Sequence, residues 1–160
     1  MQPPSHYQNP NMISRRHFLL SSAAVLVSGR ELFAALPPSV ITVYKDAGCE
    51  CCEKWIKHLS ANGFVVTAMN SVKMDEIKAT MGVPAAMQSC HTAVIDKYVV
   101  EGHVPADVIK KFLAEKPAFL GLAAPGMPKG SPGMEMGGTP DHYNILAFNR
   151  DGTSRVYAKR

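Results

Sequence analysis

The stretch VITVYKDAGCECCEKWIKHLSANG (40–63) constrains the fold of this chain more than any other. Val40 to Tyr44 form a β-branched, apolar run, the composition of a buried strand. The short turn Lys45-Asp46-Ala47-Gly48 follows, and EKWIKHLSANG then sets Trp55, Ile56 and Leu59 on one helical face until Asn62-Gly63 stops it. A strand that feeds a helix through so short a turn puts whatever lies between them at the helix start. Here that is Cys49, Cys51 and Cys52, three of the four cysteines in the chain.

The remaining segments extend this beginning into one pattern. FVVTAM (64–69) reads as a second strand, and DEIKATMG (75–82) as a short helix ended by Gly82. HTAVIDKYVVEGH (91–103) divides at Asp96-Lys97 into two strands joined by a tight turn. PADVIKKFLAE (105–115) opens with a proline, which a first helical turn accepts, and spaces Val108, Ile109, Phe112 and Leu113 as an apolar face. The order β-α-β-α-β-β-α is the thioredoxin-like plan, an α/β fold with a mixed sheet flanked by helices, and proteins of that plan keep reactive cysteines where this chain has them. Beyond it, GLAAPGMPKGSPGMEMGG (121–138) is a Gly/Pro/Met-rich loop too irregular to be an element. YNILAFN and TSRVYAK around Arg150-Asp151-Gly152 predict a closing C-terminal β-hairpin. No internal repeat is present.

Location decides which cysteine chemistry is open. ISRRHFLLSSAAVLVSG (13–29) sets Ser14, Arg15 and Arg16 before a modest apolar run, the pattern of a bacterial twin-arginine export signal. The run from Phe18 to Gly29 is about 12 residues, short of the roughly 20 a helix needs to cross a bilayer, so it predicts a signal rather than a lasting anchor. Residues 1–36 are therefore set aside as signal peptide and 37–160 are expected to form a single domain in the periplasm, long enough for one core and too short for two. Removing the leader takes Arg15, Arg16, Arg30 and Glu31 with it, so the formal net charge drops from +4 to +2. No basic run survives, which gives no reason to expect nucleic acid or an anionic lipid surface as partner, and no membrane span is expected after signal removal.

The first turn of a helix offers unpaired N–H groups and partial positive charge, which favours thiolate, the form that attacks disulfides and binds metal. Cys49 and Cys52 alone make a C-x-x-C pair, so a redox disulfide between them is geometrically open. Cys51 and Cys52 are chain neighbours with Cα atoms about 3.8 Å apart, below the usual disulfide range of about 4.4–6.8 Å. Cys51 therefore has no obvious redox role, whereas a third soft donor is useful to a metal. Glu50 opposes thiolate formation in either case, and a bound cation would offset its charge. Cys90 and His91, in QSCHTAVI, fall in the loop before the third strand. In thioredoxin-like folds that loop faces the helix-one cysteines and carries a cis-proline; here the nearest proline, Pro84, lies six residues earlier. Three or four thiolates with one imidazole suit Cu(I) or Zn(II). Two other readings stay open, a thiol-disulfide oxidoreductase working through Cys49 and Cys52, and a domain whose cysteines all serve structural disulfides.

The histidines and methionines add weaker signals. His103 ends the fourth strand beside a helix start, where capping or solvent contact is the ordinary role and metal ligation the rarer one. His58 falls on the polar side of helix one and is expected to be exposed. Met127, Met134 and Met136 lie in the loop, followed by His142, and thioethers suit Cu(I). Methionines that merely pack the loop over the cysteines read equally well.

With these residues assembled, the chain resembles a bacterial family of exported, thioredoxin-like metal-binding proteins of otherwise unknown function, often encoded near copper-resistance genes. The resemblance runs from Val40 to Tyr157 and is carried by VYKDAGCECCEKW, GVP with SCHTAVI, VVEGHVPADVI, and GLAAPGMPKGSPGME. It implies copper binding or handling, with Cys49, Cys51, Cys52, Cys90 and His91 at the family's motif positions and His103 and Met127 in its EGHVP and PGMP motifs. Glu50 departs from the family, where relatives usually carry glycine. The expectation is thus a periplasmic domain that binds Cu(I), with Zn(II) as the second candidate, for copper buffering, delivery or resistance, its partners being the metal ion and periplasmic copper-handling proteins.

Overall fold

The structure of the protein is a computed structural model that describes residues 39–160; the expected signal peptide lies outside the described residues. The described residues form a seven-stranded mixed sheet in the order β2-β1-β3-β4-β5-β6-β7. The strands are β1 (Val40–Lys45), β2 (Val65–Asn70), β3 (His91–Ile95), β4 (Tyr98–Glu101), β5 (Gly121–Ala123), β6 (Asn144–Phe148) and β7 (Ser154–Lys159). The helices are α1 (Glu50–Ala61), α2 (Met74–Met81) and α3 (Ala106–Glu115), with a 3-10 turn at Ala85–Met87. Up to α3 this is the predicted element order. No described helix is long and apolar enough to cross a membrane.

The pairing follows from the connections. α1 links β1 to a parallel β2, whereas β3 runs antiparallel to β1 and turns through Asp96-Lys97 into β4. Asp96 takes a positive φ of 51°, a conformation that aspartate tolerates better than most residues. Gly82 stops α2 in the left-handed region, as its position in the sequence suggests. The larger core gathers Trp55 and Leu59 of α1 and Ile109 and Phe112 of α3 against Ile41, Val43, Ala93, Ile95 and Val100. Because side chains alternate along a strand, Thr92 and Glu101 point to the opposite face, where they meet Lys78 of α2.

One prediction fails in an instructive way. The segment 121–138 does not begin as loop, because Gly121–Ala123 forms a fully buried strand, parallel to β4 and antiparallel to β6. A three-residue strand leaves no periodicity to read. What admits it is the missing side chain of Gly121, since a Cβ there would lie 1.9 Å from Val99 O. β5 thereby joins the predicted C-terminal hairpin, β6 and β7, to the rest of the sheet.

Register places the functional residues. Lys45, the last residue of β1, pairs with His91, the first of β3, so the loop ending in Cys90 arrives beside the turn that leads into α1. Thr92 pairs with Glu101, which brings His103, two residues further on, to the same end of the sheet.

Candidate metal centre

Cys49 is the residue at which α1 begins, and its N–H donates to Asp46 O at 3.2 Å. Asp46 also accepts from Gly48 N–H at 2.8 Å, tightening the turn that delivers the chain into the helix. Cys51 and Cys52 occupy the first turn, together with Glu50 and Glu53, whose charges suit a helix N-terminus. Cys49 and Cys52 are joined by a disulfide, and Cys51 and Cys90 are free thiols.

The four sulfurs lie within 4.8 Å of one another. Cys51 Sγ is 3.6 Å from Cys49 Sγ and 3.9 Å from Cys90 Sγ, and Cys90 Sγ is 3.5 Å from Cys52 Sγ. Cys90 also belongs to a second group of three, with a His103 Nε2 distance of 3.0 Å and a His91 Nδ1 distance of 3.3 Å. This one sulfur is where the two donor sets meet.

Proton counting assigns the His103 tautomer. His103 Nδ1 lies 2.8 Å from Pro132 O, and a carbonyl can only accept, so Nδ1 carries the hydrogen and Nε2 presents its lone pair to Cys90. The single S–H of Cys90 can satisfy His103 Nε2 and nothing else. His91 is fully buried, its ring 4.3 Å from that of Trp55 between centroids, and its Nε2 has no hydrogen-bond partner. An unpaired buried polar atom of this kind costs about 1–3 kcal/mol. Soft sulfur flanked by two imidazoles, with His91 Nδ1 and His103 Nε2 turned toward it, is a donor set that fits a thiophilic metal ion.

The electrostatics agree. Burial holds both imidazoles below their usual range, His91 well below it with His103 and Lys78 adding to the effect, so both rings are neutral and able to ligate. Burial, reinforced by neighbouring Cys51, pushes the Cys90 thiol up to about 12. Cys90 therefore keeps its proton at neutral pH, and a metal ion taken up by this sulfur would have to displace it.

The structure brings Cys49, Cys51, Cys52, Cys90, His91 and His103 together. For His103 the expected solvent contact is corrected, since the ring is fully buried with Nε2 facing Cys90. The loop meets the site through its backbone at Pro132 and Gly133. Pro132 O holds His103, and Gly133 packs so closely that a Cβ would lie 2.6 Å from Cys51 O and 2.9 Å from Trp55 N. Met127 and Met136 are 54% and 76% exposed, Met134 is half-buried, and His142 is exposed. The expectation of an exposed His58 is corrected: it is half-buried, and its Nε2 accepts the Ala106 N–H at 3.1 Å, capping α3. Sequence reasoning missed Lys78 and Glu101, a buried pair beneath the Cys90 loop. Their one signal was an acidic residue inside the apolar run of YVVEGH.

Comparison with known proteins now gives the lineage. Residues 87–134, which hold Cys90, His91, His103 and the covering loop, match the family model described as protein of unknown function, DUF411. A solved structure of copper resistance protein CopG, form 1, is 51% identical with a TM-score of 0.73, over 78% of this chain and 98% of that one. The chain belongs to the DUF411 family. CopG in form 2 is 49% identical at the same TM-score, over 78% of this chain and 99% of that one. No curated protein matches the chain. The DUF411 match begins after the CECC segment, so the three helix-one cysteines lie outside it.

Proposed function

We propose that this protein is a periplasmic copper-binding protein, residues 37–160 forming the domain that twin-arginine export delivers, and that it holds Cu(I) for buffering or delivery during metal stress. The observation that carries this reading is the convergence on Cys90 of three further sulfurs and two neutral imidazoles. Sulfur donors select Cu(I) over hard cations, and Zn(II) is the competitor that such a set also accommodates. The names of the CopG relatives point the same way. Cys49, Cys51, Cys52, Cys90 and His91 are the proposed ligands, with His103 joining them. Full use of the set requires the Cys49–Cys52 disulfide to be reduced. A dithiol reductant would supply the two electrons and two protons, yielding two thiols here and its own disulfide.

A specific observation also favours a second reading, since the Cys49–Cys52 disulfide at a helix start is what a thiol-disulfide oxidoreductase would carry. An anaerobic Cu(I) titration of the reduced protein against a coloured chelator separates the two, with Cys51→Ser and Cys90→Ser variants alongside and Zn(II) as a parallel titrant. Tight Cu(I) binding at fixed stoichiometry that weakens in both variants is the result expected. Failure of the parent to compete, with insulin reduction unaffected by either substitution, would establish the oxidoreductase instead.

A further inference from the structure

Beneath Cys90 the sheet holds a pair of charges that the ligand set does not use. Lys78 of α2 and Glu101, the last residue of β4, are 5% and 0% exposed, and their side chains meet at 2.5 Å. Burying two ions is expensive, and a well-packed apolar pair of similar volume commonly serves stability as well or better. What an apolar pair could not do is bind neighbouring polar groups. Glu101 Oε1 accepts the Ser89 N–H at 2.7 Å, and Oε2 accepts the Thr92 O–H at 2.6 Å. Lys78 Nζ lies 2.9 Å from Thr92 Oγ1, closing the network.

Ser89 immediately precedes Cys90, and Thr92 immediately follows His91. One buried carboxylate thus grips both ends of the Cys90-His91 dipeptide. The next residue along from Glu101 adds a third tether, Gly102 N–H donating to His91 O at 3.0 Å. Thr92 and Glu101 lie on the α2 face of the sheet while His91 packs on Trp55, so the clamp touches neither the sulfur nor the ring. It acts on them through the backbone.

We propose that the Lys78–Glu101 pair is a positioning device for Cys90 and His91, with Glu101 bracketing the dipeptide and Lys78 supplying the countercharge that keeps the carboxylate in the interior. This deepens the copper reading and rests on it.

The test uses a Lys78→Met/Glu101→Gln double variant, which removes both charges and keeps an acceptor, with circular dichroism to verify folding. In the reduced protein its Cu(I) affinity, measured by chelator competition, should fall about tenfold, the scale on which outer partners of metal ligands act. In a Cys90→Ser/His91→Ala background the same pair of substitutions should change affinity by less than about twofold, because residues acting through one another are non-additive. A folded double variant with parental affinity, or a loss that recurs undiminished without Cys90 and His91, overturns the proposal. If the double variant does not fold, Thr92→Val removes one tether without a charge change. It should lower affinity about threefold, the worth of a weak hydrogen bond, and parental affinity would overturn the proposal. A metal-free readout separates this proposal from the copper reading. In a Cys49→Ser/Cys51→Ser/Cys52→Ser chain, Cys90 is the sole thiol, and adding the double or the Thr92 substitution should speed its reaction with a maleimide about fivefold by loosening the loop. An unchanged rate overturns the positioning role even if the parent binds copper; a raised rate in a protein that binds none supports the clamp while removing the copper reading.

Discussion

Gly133 is where the covering loop can be lifted from the cysteines by one methyl group. It has a φ of +89°, and an added Cβ would meet Cys51 O at 2.6 Å, Trp55 N at 2.9 Å and His103 Nδ1 at 3.3 Å. Gly137, in the same loop, has a φ of +73° with nothing within 4 Å of the corresponding Cβ. Alanine at either position incurs left-handed strain of about 1–2 kcal/mol. At 133 alone the loop must also move off α1, since the obstructing atoms belong to helix backbone. The His103 Nδ1–H to Pro132 O bond is adjacent and would be lost with that movement. That adds about 1 kcal/mol if water replaces the carbonyl and up to about 3 if the N–H stays buried. Gly133→Ala should therefore be destabilised by about 3 kcal/mol and Gly137→Ala by about 1, a difference in melting temperature of several degrees for a domain of this size. Because the same bond fixes the His103 tautomer that faces Cys90, Gly133→Ala should also bind Cu(I) about tenfold more weakly, with Gly137→Ala close to the parent. Thermal melts and anaerobic chelator competition on both variants check this. Equal melting temperatures and equal affinities in the two variants would refute the claim that loop closure orders the site.

Three further outcomes follow from the geometry. The folded state disfavours protons on buried His91 and His103, so the unfolded chain binds more protons and stability rises with pH; acidification below the usual 6.5 should destabilise the metal-free protein by up to about 1.4 kcal/mol per pH unit for each ring, and denaturant melts between pH 7 and 5 that show no such fall would contradict their burial as neutral groups. Trp55→Phe deletes the 2.9 Å bond from Nε1–H to Val104 O and leaves a buried carbonyl unpaired, so a loss of about 2 kcal/mol is expected in urea unfolding, with an unchanged midpoint as the contrary result. Thiol titration of the unreduced, denatured protein should find the two free thiols Cys51 and Cys90, falling to one in Cys90→Ser, whereas four in the parent would mean that the disulfide does not form.

The order of elements up to α3 was legible because each carries a local signal: a β-branched run at Val40–Tyr44, helical spacing of Trp55 and Leu59, and a helix stop at Gly82. β5 was not, since three residues hold no period and the reason for the strand, the approach of Val99 O to Gly121, lies across the sheet. His58 misled because helical position predicts which side faces solvent, not whether another helix will start there. The methionines drew notice as soft donors, whereas Gly133, close to Cys51 O, and Pro132, whose carbonyl holds His103, gave no signal, because their part is set by backbone geometry.

By itself, then, the sequence determined the kind of chemistry available: soft donors gathered at a helix start and in one loop before β3. Only the tertiary structure decided how those donors meet. The β1–β3 register carries Cys90 to the other cysteines, the β3–β4 register brings in His103, and Pro132 selects its tautomer. Metal affinity depends on positions of a few atoms, and those are fixed by pairings between residues far apart in the chain, such as Lys78 with Glu101, that leave no pattern along it.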